Sequence, residues 1–113
     1  MDRKKELKEQ YKQMRPQMGV YLLRCRQADR VYIGASQNIK GMLNRIRFQL
    51  AAGSIPNRRL QKIWDDYGND SFTEEVVEVL EYGRDESKTD YTEELEILKE
   101  MCKEKYREAE EIK

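Results

Sequence analysis

Tyr21, in Gly19-Val20-Tyr21, and Tyr32, in Tyr32-Ile33-Gly34, stand in matched settings with ten residues between them. A phenol can orient a water or a phosphate by hydrogen bonding, but its unperturbed pKa of about 10 makes it a base only where nearby positive charge favours the phenolate. Lys40 and Arg45 are the candidate protein cations for that task. Histidine is absent from the chain, which removes histidine general bases, His-ligated metal sites, and Ser-His and Cys-His hydrolases. Acid–base work therefore falls to Tyr, Lys, Glu or Asp. Either tyrosine alone reads as an amphipathic prop, with its ring in a core and its hydroxyl at the edge; the matched pair reads as a site.

The elements that must position this pair follow from periodicity. Residues 18–23 and 30–34 are rich in β-branched and aromatic types, with the polar Gln27-Ala28-Asp29 between them, so they predict a hairpin carrying one tyrosine on each strand. Side chains alternate along a strand, so both phenols can lie on one face of the sheet. Ile39, Met42, Leu43, Ile46 and Leu50 recur at helical spacing over residues 38–52, with Gly53 as the C-cap. Pro56 then fits the first turn of a second helix bearing Leu60, Ile63, Trp64 and Tyr67, closed by Gly68 and Asn69. Phe72 to Leu80, rich in valine, predicts the third strand of a small antiparallel sheet. Asp90 and Glu93 mark the start of a long last helix whose stripe is Tyr91, Leu95, Leu98, Cys102 and Tyr106, with an acidic outer face and an end that frays past Lys103. Before the hairpin, residues 2–15 carry Leu7, Tyr11 and Met14 on a narrow stripe that ends at Pro16, the pattern of a charged helical arm. The expected organisation is thus an arm over residues 1–16 and one domain over 17–113, of α/β (α+β) class, with a three-stranded antiparallel sheet flanked by helices.

A chain of 113 residues supports one domain with a modest core. Its 22 basic and 22 acidic residues are unevenly placed: residues 1–62 hold 15 basic and 4 acidic side chains and residues 63–113 hold 7 and 18, giving halves of +11 and −11. A basic half suits a phosphate backbone, and equally it can be a set of solvated helix faces. Cys25 and Cys102 form no Cys-x-x-Cys pattern, and there is no signal-like or membrane-length apolar run, so the expectation is a soluble, cytoplasmic protein without a disulfide framework or zinc site.

Beyond the paired tyrosines, Asn57 to Gly68 with its Leu60-Gln61 and closing Tyr67-Gly68, followed by Phe72 and the valine-rich strand, resembles the GIY-YIG nuclease family over roughly residues 18–101. The resemblance implies a metal-dependent endonuclease that hydrolyses DNA by water attack, with Tyr21 as general base or relay and Tyr32 orienting water or phosphate. It also implies one Mg²⁺ or Mn²⁺, held by a glutamate on the last helix, for which the frame Glu94-Leu95-Glu96-Ile97-Leu98 nominates Glu94. Lys40, Arg47, Asn57, Arg58 and Arg59 become candidates for gripping the DNA backbone. Phage, mobile-element or bacterial DNA processing is the setting that the resemblance suggests.

One departure matters most. Where the family places an arginine on the first helix, this chain has Met42, and Ile46 and Ile55 stand where some relatives carry histidines. Methionine cannot clamp a phosphate with a charged planar fork, and losing such a group costs about 2–4 kcal/mol of transition-state stabilisation, or roughly a hundred- to a thousandfold in rate. Three explanations stand side by side: Arg45, one turn further on, reaches the phosphate or is an ordinary exposed arginine; the arginine was removed to inactivate the enzyme; or the fold changed jobs. The last defines the rival expectation, a catalytically inactive GIY-YIG-fold module that binds nucleic acid or a protein partner.

Overall fold

The computed structural model describes residues 15–85 and 87–112. Strands β1 (Met18–Cys25) and β2 (Arg30–Ser36) form the expected hairpin, in which Asp29 takes a positive φ of 51° to close the turn. Helix α1 (Ile39–Ala52) follows, then helix α2 (Arg58–Tyr67), a short 3₁₀ turn, strand β3 (Phe72–Leu80), helix α3 (Thr92–Lys105) and a two-residue strand β4 (Glu110–Glu111). The expected arm falls almost wholly outside the described residues. Among those described, no helix is long and apolar enough to cross a membrane.

The sheet has four strands in the order β3-β1-β2-β4, not three. The extra strand pairs parallel to β2 through Tyr32–Glu110 and Ile33–Glu111, in the segment where fraying was expected. Its residues Glu110 and Glu111 carry no β propensity; long-range pairing and the ion pairs of Glu110 with Arg30 at 3.0 Å and Arg59 at 3.1 Å hold it instead.

Local capping agrees with the sequence at the C-terminal ends of α1 and α2, but α3 starts at Thr92 with Tyr91 as its N-cap and no side-chain cap bond, because the Asp90 carboxylate turns to accept from the Thr92 N–H at 3.0 Å. The Asn38 side chain accepts from the Gly41 N–H at 3.0 Å to start α1, and Gly53 ends it in the left-handed conformation. The second helix starts later than expected. Pro56 lies outside it, and Asn57 is its N-cap, accepting from the Leu60 N–H at 3.0 Å. Asparagine has the side-chain acceptor that a cap needs, and proline has none.

Two cores sandwich the sheet. On one face, Tyr21, Leu23, Cys25 and Tyr32 pack with Ile39, Leu43, Ile46 and Leu50 of α1, Leu60 and Ile63 of α2, and Phe72. On the other, Val20, Leu22, Val31 and Ile33 meet Leu98, Cys102 and Tyr106, while Met18 meets Tyr91 and Leu95. The alternation of β1 thus assigns α1 and α2 to the tyrosine face and the acidic helix α3 to the opposite face.

Candidate functional site

The β1–β2 register sets Tyr21 opposite Gly34 and Leu23 opposite Tyr32, so the two tyrosines are diagonal neighbours on one face. Both rings are buried. Gly34 is what admits the first of them: a β-carbon there would lie 2.6 Å from Cζ of Tyr21 and closer still to its hydroxyl, so the ring lies flat across β2 in the space a side chain would take. Gly19 plays a similar part on the other side, since a β-carbon there would sit 2.9 Å from the Glu78 carbonyl carbon of β3.

The two hydroxyls have different surroundings. Tyr21 lines a cavity of about 300 Å³ together with Met42, Arg45 and Ile46 of α1, Ile55, Lys99 of α3 and Glu111 of β4. The cavity opens at the β2 edge because β4 covers only Tyr32 and Ile33, leaving Gly34 and Ala35 on its wall. Tyr32 is not on this wall. Its ring is fully buried, and its hydroxyl has no hydrogen-bond partner among the described residues.

Burial pushes the Tyr21 phenol up to about 12, against a smaller opposing pull from the Lys99 ammonium. Tyr32 is likewise raised, first by burial and then by the Glu110 carboxylate, with Arg30 and Arg59 opposing. At neutral pH both are neutral phenols, suited to donating a hydrogen bond rather than to removing a proton. The cation that acts on the Tyr21 phenol is Lys99, which sequence reasoning missed; Arg45 lines the same cavity and Lys40 does not. Lys99 is buried, and its Nζ bonds Glu111 at 2.7 Å and Glu96 at 3.0 Å. Burial works against its charge, yet those two hydrogen bonds outweigh it and raise the ammonium's pKa. A signal for it existed: Lys99 stands four residues after Leu95 and three before Cys102, on the buried stripe of α3.

Glu94, the nominated metal ligand, is not in this cavity. It sits in the first turn of α3, where its carboxylate bonds the Lys88 ammonium, which lowers its pKa. The carboxylate that does line the cavity, Glu111, is paired with Lys99 and approaches Lys103 at 3.8 Å. A hard divalent ion takes oxygen ligands and open carboxylates, and among the described residues no cluster of three His, Cys, Asp or Glu side chains could hold one. At the Tyr21 cavity the one carboxylate among the described residues is thus held by ammonium groups.

The basic candidates divide. Arg47 is engaged by Glu74 and Asn69, and Arg59 by Glu110 at 3.1 Å. Asn57 spends its side-chain oxygen on the α2 cap. Lys40, Arg45 and Arg58 are exposed and form no ion pair among the described residues, and the same holds for Lys62, one turn beyond Arg58 on α2.

No protein-family model matches the chain, and no curated protein matches it. Two solved structures do match in fold. The catalytic domain of homing endonuclease I-TevI superposes with a TM-score of 0.66 at 16% identity, covering 85% of this chain and 98% of that one. A point mutant of the catalytic domain of intron endonuclease I-TevI gives a TM-score of 0.54 at 23% identity, covering 71% of this chain and 84% of that one. The hairpin with its paired tyrosines, the two helices over them and the long helix behind the sheet make this chain a domain of the GIY-YIG fold.

Proposed function

We propose that this chain is a DNA-binding domain of the nuclease-type GIY-YIG fold, in which capture of a backbone phosphate at the Tyr21 cavity is kept and metal-dependent cutting is not. The observation that carries this reading is the composition of the cavity wall: a neutral phenol donor and two cations, Arg45 and Lys99, with Met42 in place of a clamping arginine and a carboxylate that is already paired. Phenol and cations are what a phosphate oxygen needs; a metal-activated water needs an open carboxylate, and the one on this wall is paired with Lys99. Lys40, Arg58 and Lys62 extend the positive surface along α1 and α2, which supports backbone contacts without base readout. Likeness in fold to an endonuclease domain supports nucleic acid as the ligand.

A second reading, a metal-dependent endonuclease, draws on the two phenols sharing one face of this fold. A single set of assays separates the two. Binding of a labelled 20-base-pair duplex is followed by fluorescence anisotropy at rising salt, and supercoiled plasmid is incubated with Mg²⁺ or Mn²⁺ and the protein, its Tyr21→Phe variant or its Met42→Arg variant. The binding reading expects salt-sensitive duplex affinity and no nicking by the native chain. Nicking that disappears in Tyr21→Phe establishes the endonuclease, and absence of duplex binding at low salt overturns the proposal.

A further inference from the structure

The cation that would meet a phosphate, Lys99, already holds an anion supplied by the chain itself. Glu111 reaches it from β4 at 2.7 Å, on the same cavity wall as Tyr21 and Arg45, and the next residue, Ile112, closes another side. A carboxylate paired with this ammonium, on the wall that also carries the phenol, holds the cationic donor that a phosphoryl group would use. We propose that Glu111 is a built-in competitor, a carboxylate that fills the phosphoryl subsite of the Tyr21 cavity and leaves when a phosphate binds. This inference rests on the phosphate-capture reading above for its ligand.

Five further observations support it. The strand that delivers Glu111 is two residues long and pairs with only Tyr32 and Ile33, so few backbone bonds need break for it to withdraw. The backbone bond that follows it is long, the Ile112 N–H donating to the Ile33 carbonyl at 3.4 Å. Lys99 keeps a second partner when Glu111 departs, because Glu96 bonds it at 3.0 Å from the same helix, so withdrawal does not strand a buried charge. Lys103, 3.8 Å from the other oxygen of Glu111, offers a displaced carboxylate a cation nearer the surface. Arg45 lines the cavity without an ion pair among the described residues and adds a second positive contact for the incoming group.

The experiment uses the whole chain with inorganic phosphate as the first probe and duplex DNA as the second. Glu111→Gln keeps the shape and removes the competing charge; its phosphate affinity, measured by amide chemical-shift titration, is expected to exceed that of the native chain by about tenfold. In the native chain, saturating phosphate is expected to speed hydrogen exchange at the Ile112 amide while leaving the β1–β3 amides unchanged. Equal phosphate affinity of the two proteins, or phosphate binding with no change at Ile112, overturns the proposal. Should Glu111→Gln fail to fold by circular dichroism, the native exchange measurement decides alone. Tighter phosphate binding by Glu111→Gln with no duplex binding by either protein upholds the competitor and removes DNA as the ligand. Duplex binding by both with identical phosphate affinity keeps the DNA reading and removes the competitor.

Discussion

Gly34 faces Tyr21 across the hairpin ladder, and the tyrosine ring occupies the volume in which a side chain at position 34 would begin, with Cζ 2.6 Å from the place of its β-carbon. Two features of the motif, the tyrosine of one strand and the glycine of the other, are therefore one packing event. Gly34→Ala is expected to push the ring from its slot and cost about 1–3 kcal/mol of stability, as overpacking does. The same substitution made in a Tyr21→Ala background should cost much less, because the atom it collides with is gone. Urea denaturation of the four proteins in this cycle measures the coupling, and additive effects would show that the ring and the glycine are independent.

The Tyr21 phenol gives stability a defined dependence on alkali. Its folded pKa, about 12, lies above the value of about 10 for an unfolded tyrosine, so the native state holds the proton more tightly. The associated stabilisation is complete below pH 10 and is lost as the pH rises towards 12; the full interval corresponds to on the order of 3 kcal/mol. Urea melts between pH 8 and 11.5 should show the native chain weakening more steeply than Tyr21→Phe, which lacks the titrating group. Parallel curves would mean that the hydroxyl ionises as freely in the folded chain as in the unfolded one.

Tyr32 offers the opposite expectation for its hydroxyl. The ring is fully buried and the oxygen has no partner among the described residues. An unmet buried hydroxyl is a cost, so Tyr32→Phe is expected to stabilise the fold by about 1 kcal/mol. Denaturant midpoints measure it directly, and a loss of stability would reveal a hydrogen bond that the hydroxyl makes.

Among the polar groups expected to grip DNA, the structure separates those already engaged from those available. Arg58→Ala and Lys40→Ala, which remove exposed cations without ion pairs among the described residues, are expected to weaken duplex binding and to reduce the salt slope by about one each. Arg47→Ala should change affinity less, because Glu74 and Asn69 hold that guanidinium. Asn57→Ala removes the cap of α2 and is expected to cost about 1 kcal/mol of stability with little effect on the salt slope. Anisotropy titrations at three salt concentrations, paired with thermal melts, distinguish the two kinds of residue.

Much of this was readable from local pattern. The hairpin, the tyrosines on one face, the stripes of α1 and α2, the Gly53 cap and the strand at Phe72–Leu80 all follow from period-two and period-3.6 spacing and from cap residues, each decided by neighbours a few positions away. The acidic helix was placed correctly both in sequence and in azimuth, since its stripe of Tyr91, Leu95, Leu98, Cys102 and Tyr106 packs on the sheet; what the pattern did not show is which polar side chains reach the cavity. Its glutamates Glu93, Glu96, Glu100 and Glu104 stay on the exposed face, while packing on the sheet face behind the tyrosines brought Lys99, on the buried stripe, to the cavity and left Glu94 with Lys88.

What the sequence by itself determined is the scaffold and the pair of phenols, because alternation along a strand is a property of the chain alone. What only the tertiary structure decided is the company those phenols keep: a parallel strand of two glutamates that no propensity favours, a buried lysine contributed by the opposite face, and Glu111 carried from the far end of the chain to meet it. Contacts of that kind are fixed by burial and charge pairing between segments some 80 residues apart in the case of Arg30 and Glu110, and no local spacing encodes them.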